Sequence, residues 1–242
     1  MAGHSKWSNI KRRKGAQDAK RGKIFQKMSR EIYVAAKSGG ADPEMNPTLR
    51  LAVEKSKGMN VPNDVIQRAI DKATGADDDA HFDEVVYEGY GPGGIAVLVY
   101  TLTDNRNRTA TNIRTAFNKN GGNLGEDGSV SYMFNRKGRI MIERTDEIDE
   151  DMLMLEALEA GAEDIESSEE GFEIITDPQS FIEVKEALEE AGFSFASSEI
   201  EMIPTIETPI APEHAASFET MIEALEDDDD VQDVYHNGIE EE

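Results

Sequence analysis

The chain has no cysteine, which excludes disulfides, thiolate nucleophiles and Cys-ligated zinc. It has no apolar run of the length a bilayer span requires, so no membrane role is expected. Its N-terminus is basic, but no apolar stretch follows it, so it does not read as a secretory signal and a cytoplasmic protein is expected. Histidines are few. His4, His81, His214 and His236 lie far apart and form no His-x-x-x-His metal pattern. No Gly-x-Ser-x-Gly elbow, kinase set or deaminase signature is present. The expectation is a protein without catalysis, metal or cofactor.

Bases are almost missing from the last part of the chain. Residues 145–242 hold 33 acids and one base, Lys185, within a whole-chain net charge of −25. Such a segment is repelled by a phosphate backbone. The opening segment has the opposite sign: Met1 to Lys37 carries eleven Lys or Arg against Asp18 and Glu31. Residues 38–75 are balanced, and residues 76–144 carry eight bases and ten acids. Any nucleic-acid surface should therefore lie within roughly the first 145 residues.

Hydrophobic spacing sets the expected architecture. Phe25, Met28, Ile32 and Ala36 recur at helical spacing between Asp18 and Lys37. Lys20, Lys23, Lys27, Arg30 and Lys37 gather on the opposite side of that helix, so one face suits a core and the other an anion. Asn46-Pro47 opens a second helix, with Leu49, Ala52 and Val53 inward. Pro62 opens a third, with Val65, Ile66, Ala69 and Ile70 inward, ending at Gly75. Residues 76–79 read as a linker. From residue 94 the pattern predicts strands at 95–100, 129–134 and 139–143 and a helix over 107–119. It then predicts a helix at 149–160, strands near 162–167 and 171–176, a helix at 178–191 and a strand at 193–203. A helix at 212–225 and a strand at 231–235 close the chain. A complete split β-α-β unit thus interrupts a second one. Ala157-Leu158-Glu159-Ala160-Gly161 and Ala187-Leu188-Glu189-Glu190-Ala191-Gly192 form a faint internal repeat within it.

The expected fold class is α+β: an N-terminal three-helix domain followed by two split β-α-β (ferredoxin-like) domains, one inserted in the other. The expected domains are 1–75, basic arm plus helical domain; 80–134 with 204–238, a discontinuous α/β middle domain; and 135–203, an inserted acidic α/β domain.

The strongest candidate site is the arm. Lys6, Lys11, Arg12, Arg13, Lys14, Lys20, Arg21, Lys23 and Lys27 could neutralise phosphates, and Trp7 could stack on an unpaired base. The competing reading is a solubilising tail, with Trp7 docked on the helical domain. A second island holds Arg106, Arg108, Arg114 and Lys119 with no acid in 105–125. Asp104-Asn105-Arg106-Asn107-Arg108-Thr109 falls at a helix N-terminus, which offers free N–H groups to an anion. Helix capping with solvated arginines explains it equally well. Gly89-Tyr90-Gly91-Pro92-Gly93-Gly94 precedes a strand, so it reads as a tight turn and not as a phosphate loop. Asp227-Asp228-Asp229-Asp230 lacks the alternation of a calcium loop and reads as a solvated loop.

Four segments together resemble the YebC/PmpR family: Met1 to Lys11, Gly91-Pro92-Gly93-Gly94, Leu102 to Thr109 and Gly128-Ser129-Val130. The resemblance covers essentially the whole chain. It implies an N-terminal helical domain and two α/β domains, one inserted in the other. It implies a cytoplasmic, DNA-binding transcriptional regulator. The alternative it carries is a ribosome-associated factor that relieves stalling at proline-rich stretches; mitochondrial members act as translational activators. The expected partner is thus nucleic acid, DNA or ribosomal RNA, with the ribosome as the alternative assembly. A protein-binding adaptor that uses its acidic face is a further reading, and oligomeric state is left open.

Overall fold

The computed structural model describes Trp7, residues 21–75 and residues 80–240. The fold is α+β, as expected, and the chain divides into two compact units. One comprises Gln17–Met133 with Pro204–Glu242, and the other Met1–Ala16 with Phe134–Ile203.

The first unit begins with three helices, α1 (Arg21–Gly39), α2 (Pro47–Gly58) and α3 (Asn63–Thr74). Met28, Ile32 and Ala36 are buried at the predicted spacing, with Leu49 and Ala52 from α2 and Ile66, Ala69 and Ile70 from α3. Asn46 caps α2, its Oδ1 accepting from the Leu49 N–H at 3.1 Å. Its Nδ2 donates to Ala35 O at 2.8 Å and Gly40 O at 2.9 Å, which ties the end of α1 to the start of α2.

A four-stranded sheet follows. It contains β1 (Asp83–Tyr90), β2 (Ala96–Thr103), β3 (Asn123–Leu124) and β9 (Val231–His236) in the order β3-β1-β2-β9. β1 and β2 form an antiparallel hairpin from Asp83↔Thr103 to Tyr90↔Ala96. The glycine run closes it as a 3₁₀ turn over Pro92–Gly94, with Gly93 at φ 76° and Gly94 at φ 78°, a region that favours glycine. β2 also pairs antiparallel with β9. Two helices, α4 (Arg106–Lys119) and α7 (Pro212–Glu226), supply Ile113, Phe117, Met221, Ile222 and Leu225 to a core that includes Val97 and Val99. Short strands β8 (Thr208–Ile210) and β10 (Gly238–Glu240) pair parallel.

The second unit holds β4 (Phe134–Glu143), α5 (Glu150–Glu159), β5 (Asp164–Ser167), β6 (Gly171–Thr176), α6 (Phe181–Glu190) and β7 (Ser197–Pro204). Its sheet order, β5-β6-β4-β7, is that of a split β-α-β fold. Ile140, Ile142, Leu153, Phe172, Ile174, Val184 and Leu188 are buried there. Trp7 belongs to this unit and is 3% exposed. A Cβ on Gly171 would lie 2.5 Å from the Trp7 Cζ2, so the missing side chain of Gly171 leaves room for the indole.

Two sequence expectations are corrected. β1 was not expected, because its apolar alternation is broken by acids and Glu88 is itself buried. The expected strand at 129–134 is instead a loop and a 3₁₀ turn (Ser131–Met133), and one continuous strand starts at Phe134. Both departures share a cause. The Glu88 carboxylate accepts from the N–H groups of Gly128, Val130 and Ser131, each at 2.8 Å, and so takes the donors a strand ladder needs. Burial alone would raise the Glu88 pKa, but these bonds hold it below the usual carboxylate range.

Candidate nucleic-acid interface

Helix α1 presents Lys23, Lys27 and Arg30 within two turns, so they share one face. That face meets an anion, but the anion belongs to the protein. The Lys23 ammonium donates to Asp227 O at 3.1 Å and pairs with the Asp227 carboxylate at 2.9 Å. Lys27 donates to Glu226 O at 2.6 Å, and Arg30 to Asp229 O at 3.0 Å and Leu102 O at 2.8 Å. These acceptors include carbonyls at and just beyond the end of α7, where a helix leaves them without partners and its dipole is negative. The bases of α1 thus cap α7.

Asp230 is the centre of the arrangement. Its side chain is 4% exposed. It accepts from Arg30 Nη1 at 3.0 Å, Arg108 Nε at 3.1 Å and Nη2 at 2.7 Å, and the Thr109 hydroxyl at 2.8 Å. Burial works against this carboxylate, but the bonds from Arg108, Thr109 and Arg30 outweigh it and lower its pKa. Hydrogen bonds to Asp230 and Asp104 likewise raise Arg108 further above its ordinary value.

The Thr103–Thr109 segment is built into the same network. Thr103 Oγ1 accepts from the Asn105 N–H at 2.9 Å, and Asn105 Oδ1 caps α4 by accepting from the Arg108 N–H at 3.1 Å. Arg106 pairs with Asp83 at 2.8 Å, a bond that lowers the Asp83 pKa. Asn112 donates to Asp228 at 2.8 Å. The resulting cleft, about 550 Å³, is lined by Lys23, Arg30, Arg108 and Asn112 against Asp104 and Asp227–Asp230. Carboxylates outnumber cations in it. It is a satisfied ion-pair network and not an open cationic groove.

The predicted site residues therefore separate. Lys23, Lys27, Arg106 and Arg108 are engaged with the protein's own acids or carbonyls. Trp7 is buried in the second unit, neither free to stack on a base nor docked on the helices. Arg21, Arg114 and Lys119 are exposed and make no ion pair among the described residues. Lys6, Lys11, Arg12, Arg13, Lys14 and Lys20 lie outside the described residues. The aspartate run is not the solvated loop that was expected, since Asp230 is buried and bonded.

Two further residues were not singled out from sequence. Lys55 donates to Asp233 at 2.7 Å and Glu31 at 3.1 Å. Burial opposes its charge, but Asp233 and Glu31 outweigh that and hold its pKa well above the usual lysine range. Glu88 is the loop clamp described above. Among the described residues, no group of three or more His, Asp or Glu is placed to hold a metal ion, and no helix is long and apolar enough to cross a membrane.

Two family models match. One, described as the TACO1/YebC protein N-terminal domain, covers residues 5–76; the other, the TACO1/YebC second and third domain, covers residues 82–238. A protein of Listeria monocytogenes named "Probable transcriptional regulatory protein" is 62% identical over 239 residues, covering 98% of this chain and 99% of its own. An Enterococcus faecalis protein of the same description is 62% identical over 236 residues, covering 97% and 98%. The crystal structure of the conserved hypothetical protein Aq1575 from Aquifex aeolicus superposes with a TM-score of 0.80 at 46% identity, covering 93% of each chain.

Proposed function

Because the chain belongs to the TACO1/YebC family, we propose that it is a non-enzymatic, cytoplasmic regulator of gene expression that binds nucleic acid through its basic N-terminal segment. The observation that carries this reading is the distribution of charge along the chain. The bases of α1 and the Arg106/Arg108 segment are already engaged internally. Residues 1–17 hold five bases and no acid, a local excess of positive charge in an acidic chain. Arg21, Arg114 and Lys119 add exposed cations. We assign the work to three domains: 1–75, 80–134 with 204–238, and the acidic insertion 135–203.

The names of the relatives favour transcription, with duplex DNA as the ligand. One observation favours RNA on the ribosome instead. α2 and α3 form a helix pair with a short turn, as a major-groove reader would need. However, two outward donors of α3 are partnered within the helix. Arg68 pairs with Asp64 at 2.8 Å and Gln67 donates to Asp71 at 2.8 Å. Reading base edges needs such donors free, whereas a basic segment also suits structured or single-stranded RNA.

Reversing the charge of Lys11, Arg12, Arg13 and Lys14 together tests both readings. Duplex DNA binding is measured across a salt series, and ribosome association by co-sedimentation. Losing four phosphate contacts should flatten the log–log salt slope on DNA by about 3–4. A fall in ribosome binding alone would favour the RNA reading. Unchanged binding to both would overturn the role of the segment.

A further inference from the structure

The two helices of the second unit are internal counterparts. Aligned on the glycines that follow them, Gly161 and Gly192, Leu153 of α5 matches Val184 of α6 and Ala157 matches Leu188. All four are buried. The outward positions then match as Met152 with Glu183, Leu155 with Glu186 and Leu158 with Glu189. On α6 the three glutamates are exposed, as expected of a solvated face. On α5 the apolar residues are exposed in their place, Met152 at 46%, Leu155 at 55% and Leu158 at 54%. At three-residue spacing they form one stripe. Scattered exposed apolar residues need no explanation, but a contiguous stripe does.

We propose that this outward face of α5 docks a basic amphipathic helix of another protein. The apolar stripe would take the partner's apolar face. Asp151 and Glu159, both exposed, adjoin the stripe one turn from Leu155, and α5 has no base. Residues 134–203 hold 21 acids against five bases, and the unit stays acidic when the five bases of residues 1–16 are added, so the field around the stripe attracts a cationic segment. The same field repels nucleic acid, anionic lipid and a second copy of this domain.

The test replaces Met152, Leu155 and Leu158 by the residues of their counterparts: Met152→Glu, Leu155→Glu and Leu158→Glu in the full chain. The probe is a labelled Leu/Lys peptide with helical apolar spacing, beside a scrambled peptide of identical composition. Binding is followed by anisotropy at about 150 mM salt, where screening acts beyond roughly 8 Å. The ordered peptide should bind about tenfold more tightly than the scrambled one, and the triple variant should lose that preference. The sign is diagnostic. Attraction by charge alone predicts tighter binding to the variant, which is more acidic, and that result would overturn the proposal. Leu155→Asn, a smaller change, should give a partial loss if the triple variant misfolds. Two other outcomes would also overturn it. One is a wild-type dimer in sedimentation velocity that the triple variant abolishes, which would make a second copy the occupant. The other is a larger preference for the ordered over the scrambled peptide when Lys11, Arg12, Arg13 and Lys14 are charge-reversed, which would make the chain's own N-terminus the occupant.

Discussion

Asp230→Asn should be costly, and the cost should depend on Arg108. The carboxylate is buried and accepts from Arg30, Arg108 and Thr109. Asparagine removes the charge and turns an NH₂ toward donors. Hydrogen bonds to charged groups contribute about 1.5–3 kcal/mol each, and breaking a buried pair costs about 3–5 kcal/mol. The Arg108 side chain is 46% exposed, so water replaces part of its loss. We therefore expect about 3 kcal/mol for Asp230→Asn, about 1–2 kcal/mol for Arg108→Gln, and a coupling of about 1–2 kcal/mol in the double variant. Two compact units make one global unfolding curve unsuitable. Amide exchange in β2 and β9 reads the local effect, and the Leu102 amide is a direct reporter because it donates to Asp230 O at 2.9 Å. Asp230 has a depressed pKa in the folded protein. Its contribution is thus fully present above the unfolded value of about 3.9 and lost as pH falls through the folded one. The gap between wild type and Asp230→Asn should be constant from about pH 5 to 7 and shrink in stronger acid. If Arg108→Gln leaves exchange unaltered and abolishes nucleic-acid binding, Arg108 is a ligand and its structural assignment is wrong.

Glu88→Gln should destabilise the Gly128–Ser131 loop by about 2 kcal/mol, since a charged acceptor of three N–H bonds becomes a neutral one. Exchange at the Val130 and Ser131 amides should quicken at neutral pH. The depressed pKa of Glu88 means that the wild type loses this advantage only as pH falls below the ordinary glutamate value; equal protection in both proteins at pH 7 would refute the clamp. Trp7 is the only tryptophan, so its emission reports its own burial. Wild type should emit as a buried indole, and Gly171→Ala should shift emission to the red, because a Cβ there meets both the Ile142 carbonyl oxygen of β4 and the ring. A wild-type spectrum typical of water-exposed tryptophan would contradict the packing.

The elements that the sequence made legible are those with local signals. α2 was readable from Asn46-Pro47, and the end of the β1–β2 turn from its glycines, because caps and left-handed turns are decided within a few residues. The helices α5 and α6 were readable from apolar spacing ended by glycine. β1 was not, because its Glu88 serves a loop forty residues away and so breaks the alternation by which a strand is recognised. The strand expected at 129–134 fails for the complementary reason: the backbone donors of Val130 and Ser131 are consumed by that same carboxylate.

The candidate site shows the same division between local and distant information. The α1 wheel implies a face built for an anion, yet it cannot say whose anion. The answer lies 199 residues away, where Lys27 reaches Glu226 O. The aspartate run offers a clue in its position, since it directly follows α7, where a helix leaves carbonyls that cations can cap. A basic face and an acidic run in one chain are each other's first candidates for pairing, before any external ligand is considered. A phosphate that took Lys23, Lys27 and Arg30 would have to uncap α7 and leave Asp230 with fewer donors, at a cost no solvated lysine imposes. A phosphate contact made instead by the five bases of residues 1–17 would leave those contacts of α7 and Asp230 in place.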